Sequence, residues 1–456
     1  MERYDLLIVG AGSAGFYGAL KADALGARVA LIERAEWGGT CPNRGCLPTK
    51  HLVTAGERYF YGQTEAFHGV EPRGTVLDVR SLMAEKDAVI RFAQQEKQAL
   101  LDAHPAIRPI RGEARVTGDH TLTVDGRMLT ADAIVLATGA SPVVPDIPGL
   151  RDCRPWTSDR VHTLSEFPAA MIVIGGGEIG LEYGQCFLHF GVRVTVLERE
   201  ERILPREEPE ISAALRRYLE QEGMVVRTGV DVRDVHGEEG ARRVLADVQG
   251  ERMAFDAPVV FVATGRRPNT DSMGLEAAGV RLRADGAVHV DSSFQTDVPS
   301  IYAAGDVLGH VRMLSSVADR EGELAVENAL RGTRHTMDYR GIPYAILTSP
   351  QTASVGLKEA EARAAGLRVK VSVLDLRDEL PKATADRGLV KLVVEQGTER
   401  ILGVHVLAAK GGEAIHEAIF IVKHGMTIAE VARTVHVYPS VAESILRAAE
   451  SYAKAA

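Results

Sequence analysis

Two cysteines stand five residues apart, Cys41 and Cys46, in the run Trp37-Gly38-Gly39-Thr40-Cys41-Pro42-Asn43-Arg44-Gly45-Cys46-Leu47-Pro48-Thr49-Lys50. With 4 cysteines in 456 residues the chain has no disulfide framework, so a close pair calls for a chemical reading. Zinc would need further ligands, and no Cys-x-x-Cys or His-Glu-x-x-His run accompanies the two. Two unrelated buried cysteines are the plain alternative. Five residues of regular helix rise about 7.5 Å, beyond the ~7 Å that a disulfide spans between Cα atoms. Bonding therefore needs a distorted helix, which Pro42 and Gly45 permit. Such a bond would be a redox centre rather than a staple. A cysteine at a helix start also has its thiolate favoured by the helix end. Cys153 and Cys186 lie apart and read as buried small residues.

The pair follows a unit that could hold a dinucleotide. Leu6-Leu7-Ile8-Val9 leads into Gly10-Ala11-Gly12-Ser13-Ala14-Gly15, an alanine-rich helical stretch, a strand over Arg28 to Ile32 and an acid, Glu33. The unit returns as Met171-Ile172-Val173-Ile174, Gly175-Gly176-Gly177-Glu178-Ile179-Gly180, a helix, the strand Val194 to Leu197 and Glu198. In both copies the acid lies 18 residues after the last glycine. Each copy is later followed by Ala-Thr-Gly, at Ala137-Thr138-Gly139 and Ala263-Thr264-Gly265. In such a unit the first glycine makes the tight turn, the second admits a pyrophosphate, and the third lets helix pack on strand. The acid takes a ribose hydroxyl. Glycine turns without a ligand are the alternative, but strand, glycines, helix, strand and acid all recur together. The pattern predicts two bound dinucleotides, each in a doubly wound α/β unit.

Beyond about residue 337 short strands (Tyr344 to Leu347, Val369 to Asp375, Leu389 to Val394, Ile401 to Leu407) precede helical stretches (Gly412 to His424, Ile428 to Thr434, Val441 to Lys454). This reads as a separate α+β domain. Alternation in Val390-Lys391-Leu392-Val393-Val394 predicts a half-exposed strand. No Pro/Ser linker intervenes, so the domains should pack tightly. Hydrophobic residues at 45% and charged ones at 25% fit a globular chain and exclude a disordered one. A net charge of −9 without a basic block argues against a nucleic-acid partner. No run nears the ~18 apolar residues of a membrane span. Met1 to Asp5 leads straight into a strand rather than a targeting segment, which predicts a cytoplasmic protein.

Residues 38–50 resemble the redox-active motif of the class I flavoprotein disulfide reductases, the family of dihydrolipoamide dehydrogenase, glutathione reductase and mercuric reductase. The likeness covers nearly the whole chain. The two Ala-Thr-Gly runs, the second extending through Arg266-Arg267-Pro268-Asn269, fall in family order, as do Ile301-Tyr302-Ala303-Ala304-Gly305-Asp306 and Thr348-Ser349-Pro350 with Ser354-Val355-Gly356. Tyr438-Pro439-Ser440 with Glu443 follows them. The resemblance implies an enzyme with two Rossmann-type domains and a C-terminal α+β dimerisation domain: residues 1–148 with 266–336 for FAD, 149–265 for the nicotinamide dinucleotide, and 337–456 as the interface of a homodimer. Gly10, Gly12, Ser13, Gly15 and Glu33 would hold the ADP half of FAD. Gly39, Thr40, Thr138, Gly139 and Asp306 would line the rest. Gly175, Gly177, Gly180, Glu198 and Gly265 would bind the nicotinamide dinucleotide. Cys46 would lie over the flavin as the charge-transfer thiolate, and Cys41 would exchange with substrate. Lys50 and Glu182 would form an ion pair at the flavin edge. Glu198 favours NADH over NADPH, with Arg199 and Arg202 nearby as the counter-signal.

One position departs from the family. Members acting on thiol substrates carry His-x-His-Pro, whose second His is the base; here the run is His436-Val437-Tyr438-Pro439. An ordinary Tyr has a pKa near ~10 against ~6.5 for His, so Tyr438 is a poor proton acceptor at neutral pH. His436 is the candidate substitute, since alternate residues of an extended segment share a face. Mercuric reductases are similar in having Tyr there; the adjacent cysteine pair by which they deliver metal is not seen in Ser451-Tyr452-Ala453-Lys454-Ala455-Ala456. The resulting expectation is electron transfer from NADH through FAD to Cys41–Cys46 and on to a metal ion or other small non-glutathione acceptor. Dihydrolipoamide dehydrogenase is the alternative, followed by a diaphorase or quinone reductase that bypasses the thiols, or a scaffold without catalysis.

Overall fold

The computed structural model describes residues 2–63, 74–238, 240–310, 312–379 and 387–454. The first sheet runs in the order Ile107–Arg111, Val29–Glu33, Glu2–Val9, Arg127–Leu136, Thr121–Val124, Ala114–Gly118. Its first four strands are parallel. Leu6, Leu7 and Ile8 are wholly buried, as suits a parallel sheet covered on both faces. The chain comes back to this sheet late, where Ile301–Ala303 pairs parallel with Ile134–Leu136. The helix that follows, Ser315–Arg331, crosses Ser13–Ala24 backbone to backbone: a Cβ on Gly322 would lie 2.0 Å from the Ala14 carbonyl oxygen.

The second unit has a parallel sheet in the order Val225–Arg227, Arg193–Leu197, Ala170–Ile174, Val259–Val262. A three-stranded antiparallel sheet, Val230–Glu238 to Glu251–Ala257, leans on it. The two units are joined by a ribbon of Ala140–Pro142 with Arg266–Pro268.

The C-terminal part is an antiparallel sheet of five strands, Tyr344–Ile346, Gln351–Gly356, Ile401–Ala408, Leu389–Glu395 and Val369–Asp375, covered by helices Gly411–His424 and Glu443–Lys454. One expectation fails here. Leu389–Val394 is buried throughout, not half exposed. The alternation came from Lys391, which is 1% exposed and reaches Glu208 at 2.9 Å, Glu210 at 3.0 Å and Glu359 at 2.8 Å. Glu208 and Glu210 belong to the second unit, so a polar residue on an inward face here marks a domain contact, not a solvent face.

Candidate active site

The helix carrying the cysteines is broken as bonding geometry requires. Thr40–Arg44 and Cys46–Tyr61 are separate helices, with Gly45 at φ −126°, ψ −117° between them. A Cβ on Gly45 would stand 3.0 Å from the Thr40 carbonyl oxygen, a tight approach that glycine avoids where the second helix folds back onto the first. Both cysteines are free thiols in this structure, Cys41 half-buried and Cys46 exposed as the first residue of its helix. Their sulfurs hydrogen-bond each other. That bond holds Cys41 down to about 6 and pushes Cys46 up. The two titrate as a unit. Ser315 Oγ, at the start of its own helix, lies 3.7 Å from Cys46 Sγ. Sequence reasoning missed Ser315; a serine opening a helical stretch was the available signal.

Lys50 lies one turn along from Cys46 on the same face. Glu182, on helix Glu178–His189, packs beneath it. Burial raises the Glu182 carboxyl to about 7, opposed by the Leu347 amide and Lys50 and reinforced by Glu178 and Cys46. The contact ion pair expected between Lys50 and Glu182 is not formed. Glu182 Oε1 accepts from the Leu347 N–H at 2.6 Å instead, while Lys50 stays exposed. A backbone donor fixed by the C-terminal sheet outcompetes a flexible ammonium that water solvates well.

The glycine loops fit dinucleotides. Cβ atoms on Gly10, Gly15, Gly175 and Gly180 would lie 1.8–2.4 Å from backbone oxygens, so the fold itself demands these glycines. The middle glycines are different. Gly12 and Gly177 have φ −72° and −80°, conformations open to any residue. A Cβ on Gly177 would meet nothing within 4 Å, and on Gly12 only Gly39 Cα at 3.9 Å. Neither backbone nor packing requires glycine there; a phosphate approaching the helix N-terminus does. Glu33 is held by the Ala11 and Ala35 amides, both at 2.8 Å, and Glu198 by the Gly176 and Glu200 amides, leaving each carboxylate with free lone pairs at the strand tip.

Other expected residues assemble round the same loops. Gly39, at φ +66°, touches Gly12, and Thr40 opens the short helix beside it. Asp319 hydrogen-bonds Ser13. Gly139 and Gly265 open on free space. The Thr138 hydroxyl is committed to the Asn269 carbonyl at 2.7 Å, which ties the two Ala-Thr-Gly segments together and leaves only its backbone for a ligand. Asp306 is pushed up by burial and drawn back down by Arg266 and His310.

The C-terminal candidates divide. Tyr438 is 68% exposed. His436 has Nε2 2.6 Å from Glu417 Oε1 and Nδ1 2.9 Å from the Thr434 carbonyl, so both ring nitrogens face acceptors. Glu443 is buried and pairs with Arg447 at 2.7 Å rather than with either neighbour. Glu417, which decides what His436 can do, carried no sequence signal.

Residues 4–322 match the family model of pyridine nucleotide-disulphide oxidoreductases, and residues 342–449 match the dimerisation domain of the same family. The chain belongs to this family: it is an NAD(P)H-dependent flavoprotein disulfide oxidoreductase that uses FAD. Its dimerisation domain supports a homodimer. Among its relatives is a mercuric reductase of Staphylococcus aureus, 37% identical over 99% of this chain and 83% of that protein. A dihydrolipoyl dehydrogenase of Thermus scotoductus is 35% identical over 100% of this chain and 99% of that protein. Among solved structures, the HOCl-induced flavoprotein disulfide reductase RclA from Escherichia coli, as its Cu(II) complex, superposes with a TM-score of 0.87 at 29% identity, covering 99% of this chain and 100% of that one.

Proposed function

We propose that this enzyme takes its electrons from NADH and delivers them through the Cys41–Cys46 pair to a soft metal ion or another acceptor that is not a thiol-linked disulfide. In this reading residues 1–148 with 266–336 carry FAD, 149–265 carry the nicotinamide dinucleotide, and 337–456 meet the partner subunit. FAD supplies the exchange between a hydride donor and a one-disulfide acceptor. The chain's own residues do the rest. The glycine loops and Glu33 and Glu198 bind and orient, Lys50 sets a positive charge beside the redox pair, and the two thiolates are soft ligands suited to soft cations.

The observation that carries the choice of acceptor is the state of His436 and Tyr438. Reducing a disulfide substrate calls for a base that cycles near neutral pH, typically worth ~10²–10⁴-fold in rate. Tyr438 stands exposed where that base would be, and His436, the candidate substitute, is turned into Glu417 and the Thr434 carbonyl. In support, one relative of the chain is named a mercuric reductase, and RclA, named a disulfide reductase, was solved as a Cu(II) complex.

The test is an acceptor comparison with NADH as donor: Hg(II), Cu(II), lipoamide and glutathione disulfide. Metal-dependent NADH oxidation should lead, and Tyr438→His should raise lipoamide turnover by at least ~10-fold. If the unmodified enzyme turns over lipoamide at ~10 s⁻¹ or faster, within the ordinary range for enzymes, it acts as a dihydrolipoamide dehydrogenase instead.

A further inference from the structure

The two glycine loops open onto helices that begin differently. The first copy puts Ser13 directly after its middle glycine, and the second puts Glu178 there. The helix Glu178–His189 has Gly177 as its N-cap and no side chain capping it, so its first N–H groups are left for a ligand. Glu178 is the acid of that first turn, where a helix end attracts a carboxylate. It is held elsewhere. Arg312, from the segment that returns to the first unit, donates from Nη1 to Glu178 Oε1 at 3.2 Å and from Nη2 to Glu207 Oε1 at 2.7 Å. Its guanidinium lies 3.3 Å over the Tyr344 ring. The two acids are unequal partners. The Glu207 side chain is 1% exposed and also accepts from the Tyr344 hydroxyl and from Ser354 Oγ at 3.0 Å, with Lys358 Nζ 3.4 Å away. Against burial, Lys358 and Arg312 hold its carboxyl below the usual carboxylate range. The Glu178 side chain is 41% exposed, and among the described residues Arg312 is its ion-pair partner.

We propose that Arg312 is a positioning residue for the nicotinamide dinucleotide, drawing the Glu178 carboxylate aside so that the helix N-terminus is free to receive the pyrophosphate. The inference rests on the second glycine loop being the nicotinamide site of the function proposed above. Left to itself, a glutamate in the first turn folds back over its own helix end, because the free N–H groups and the helix dipole favour a negative charge there. It would then fill the space beside Gly177, where a Cβ would meet nothing within 4 Å, and would repel the incoming phosphates. A forked side chain suits this task. One arm is tied to a buried acid that needs a cation, and the other is left to steer Glu178. Lysine, with a single ammonium, would stay with Glu207 and let Glu178 go. The first loop needs no such device, since Ser13 carries no charge.

The experiment measures NAD⁺ binding to the oxidised holoenzyme by calorimetry, which needs no turnover. Arg312→Lys keeps the charge, so any long-range attraction for phosphate is unchanged, and it should raise the Kd for NAD⁺ by about 5-fold. In the Glu178→Ala background the same change should alter Kd by less than about 2-fold, because no carboxylate is left to release. Glu178→Asp tests the point with Arg312 untouched. A side chain one methylene shorter does not reach the guanidinium but still covers its own helix end, so NAD⁺ should again bind about 5-fold more weakly. If Arg312→Lys has the same effect, or none, whether or not Glu178 is present, Arg312 does not act through Glu178 and the proposal is overturned. A Glu178→Asp enzyme that binds NAD⁺ like the intact one overturns it too. If the intact, FAD-loaded enzyme binds no NAD⁺ at millimolar concentration, the nicotinamide site itself is misassigned and the inference falls with it.

Discussion

In the proposed function Glu198 sets the choice between the two nicotinamide nucleotides. Its carboxylate is fixed by the Gly176 and Glu200 amides and points where a ribose 2′-hydroxyl would donate to it; a 2′-phosphate there meets a like charge. Arg199 and Arg202 were the counter-signal in the sequence, and the structure commits Arg202 to the carbonyls of Pro205 at 2.7 Å and Glu207 at 3.2 Å. Arg199 is 83% exposed and leans on Glu200. NADH should therefore exceed NADPH in kcat/KM by about 10-fold or more, and Glu198→Gln should narrow the gap. A higher kcat/KM with NADPH contradicts this. At this scale the sequence was most informative where spacing has only one chemical use: the cysteine pair, the glycines and their acids. It was silent on Ser315, whose contact joins segments 269 residues apart, on the Leu347 amide, a backbone group that any residue type supplies, and on Glu417, whose contact with His436 links a helix to a loop that no local pattern pairs.

Among elements, the strand Leu389–Glu395 shows how a periodic pattern misleads. Lys391 breaks the apolar run as a solvent-facing residue would, yet it sits in the interior strand of a covered sheet and neutralises Glu208, itself 2% exposed, across a domain boundary. Charge complementarity between distant elements leaves no local trace, so the strand was legible and its burial was not. Removing one partner of a buried ion pair strands the other, at a cost of roughly 3–5 kcal/mol. Lys391→Met should accordingly lower the urea midpoint sharply, and Lys391→Met with Glu208→Met should recover most of the loss. A single substitution tolerated without a shift would mean that the pair does not join the domains. The two βαβ units were readable because parallel strands buried on both faces leave unbroken apolar runs, and glycines mark where each ends; the first strand alone starts four residues earlier, at Glu2, where its residues are polar.

At the scale of the whole molecule, the site draws on every part of the chain: the cysteines from the first unit, Glu182 from the second, and Leu347 from the C-terminal part. Phe420, Val435, Val437 and Tyr438 form an exposed apolar group on that last part, in keeping with a dimerising surface. The account depends on electrons passing through Cys41 and Cys46 in that assembly. The most direct measurement is an anaerobic titration of the holoenzyme with NADH, followed by absorbance. Two electrons should bring up a long-wavelength charge-transfer band while the flavin remains oxidised. Cys41→Ser should show that band before any reductant is added, and Cys46→Ser should lack it throughout. Flavin bleaching with no such band at any stage in the intact enzyme would contradict the account, because the electrons would then stop at the flavin and the cysteine pair would have no part in the reaction.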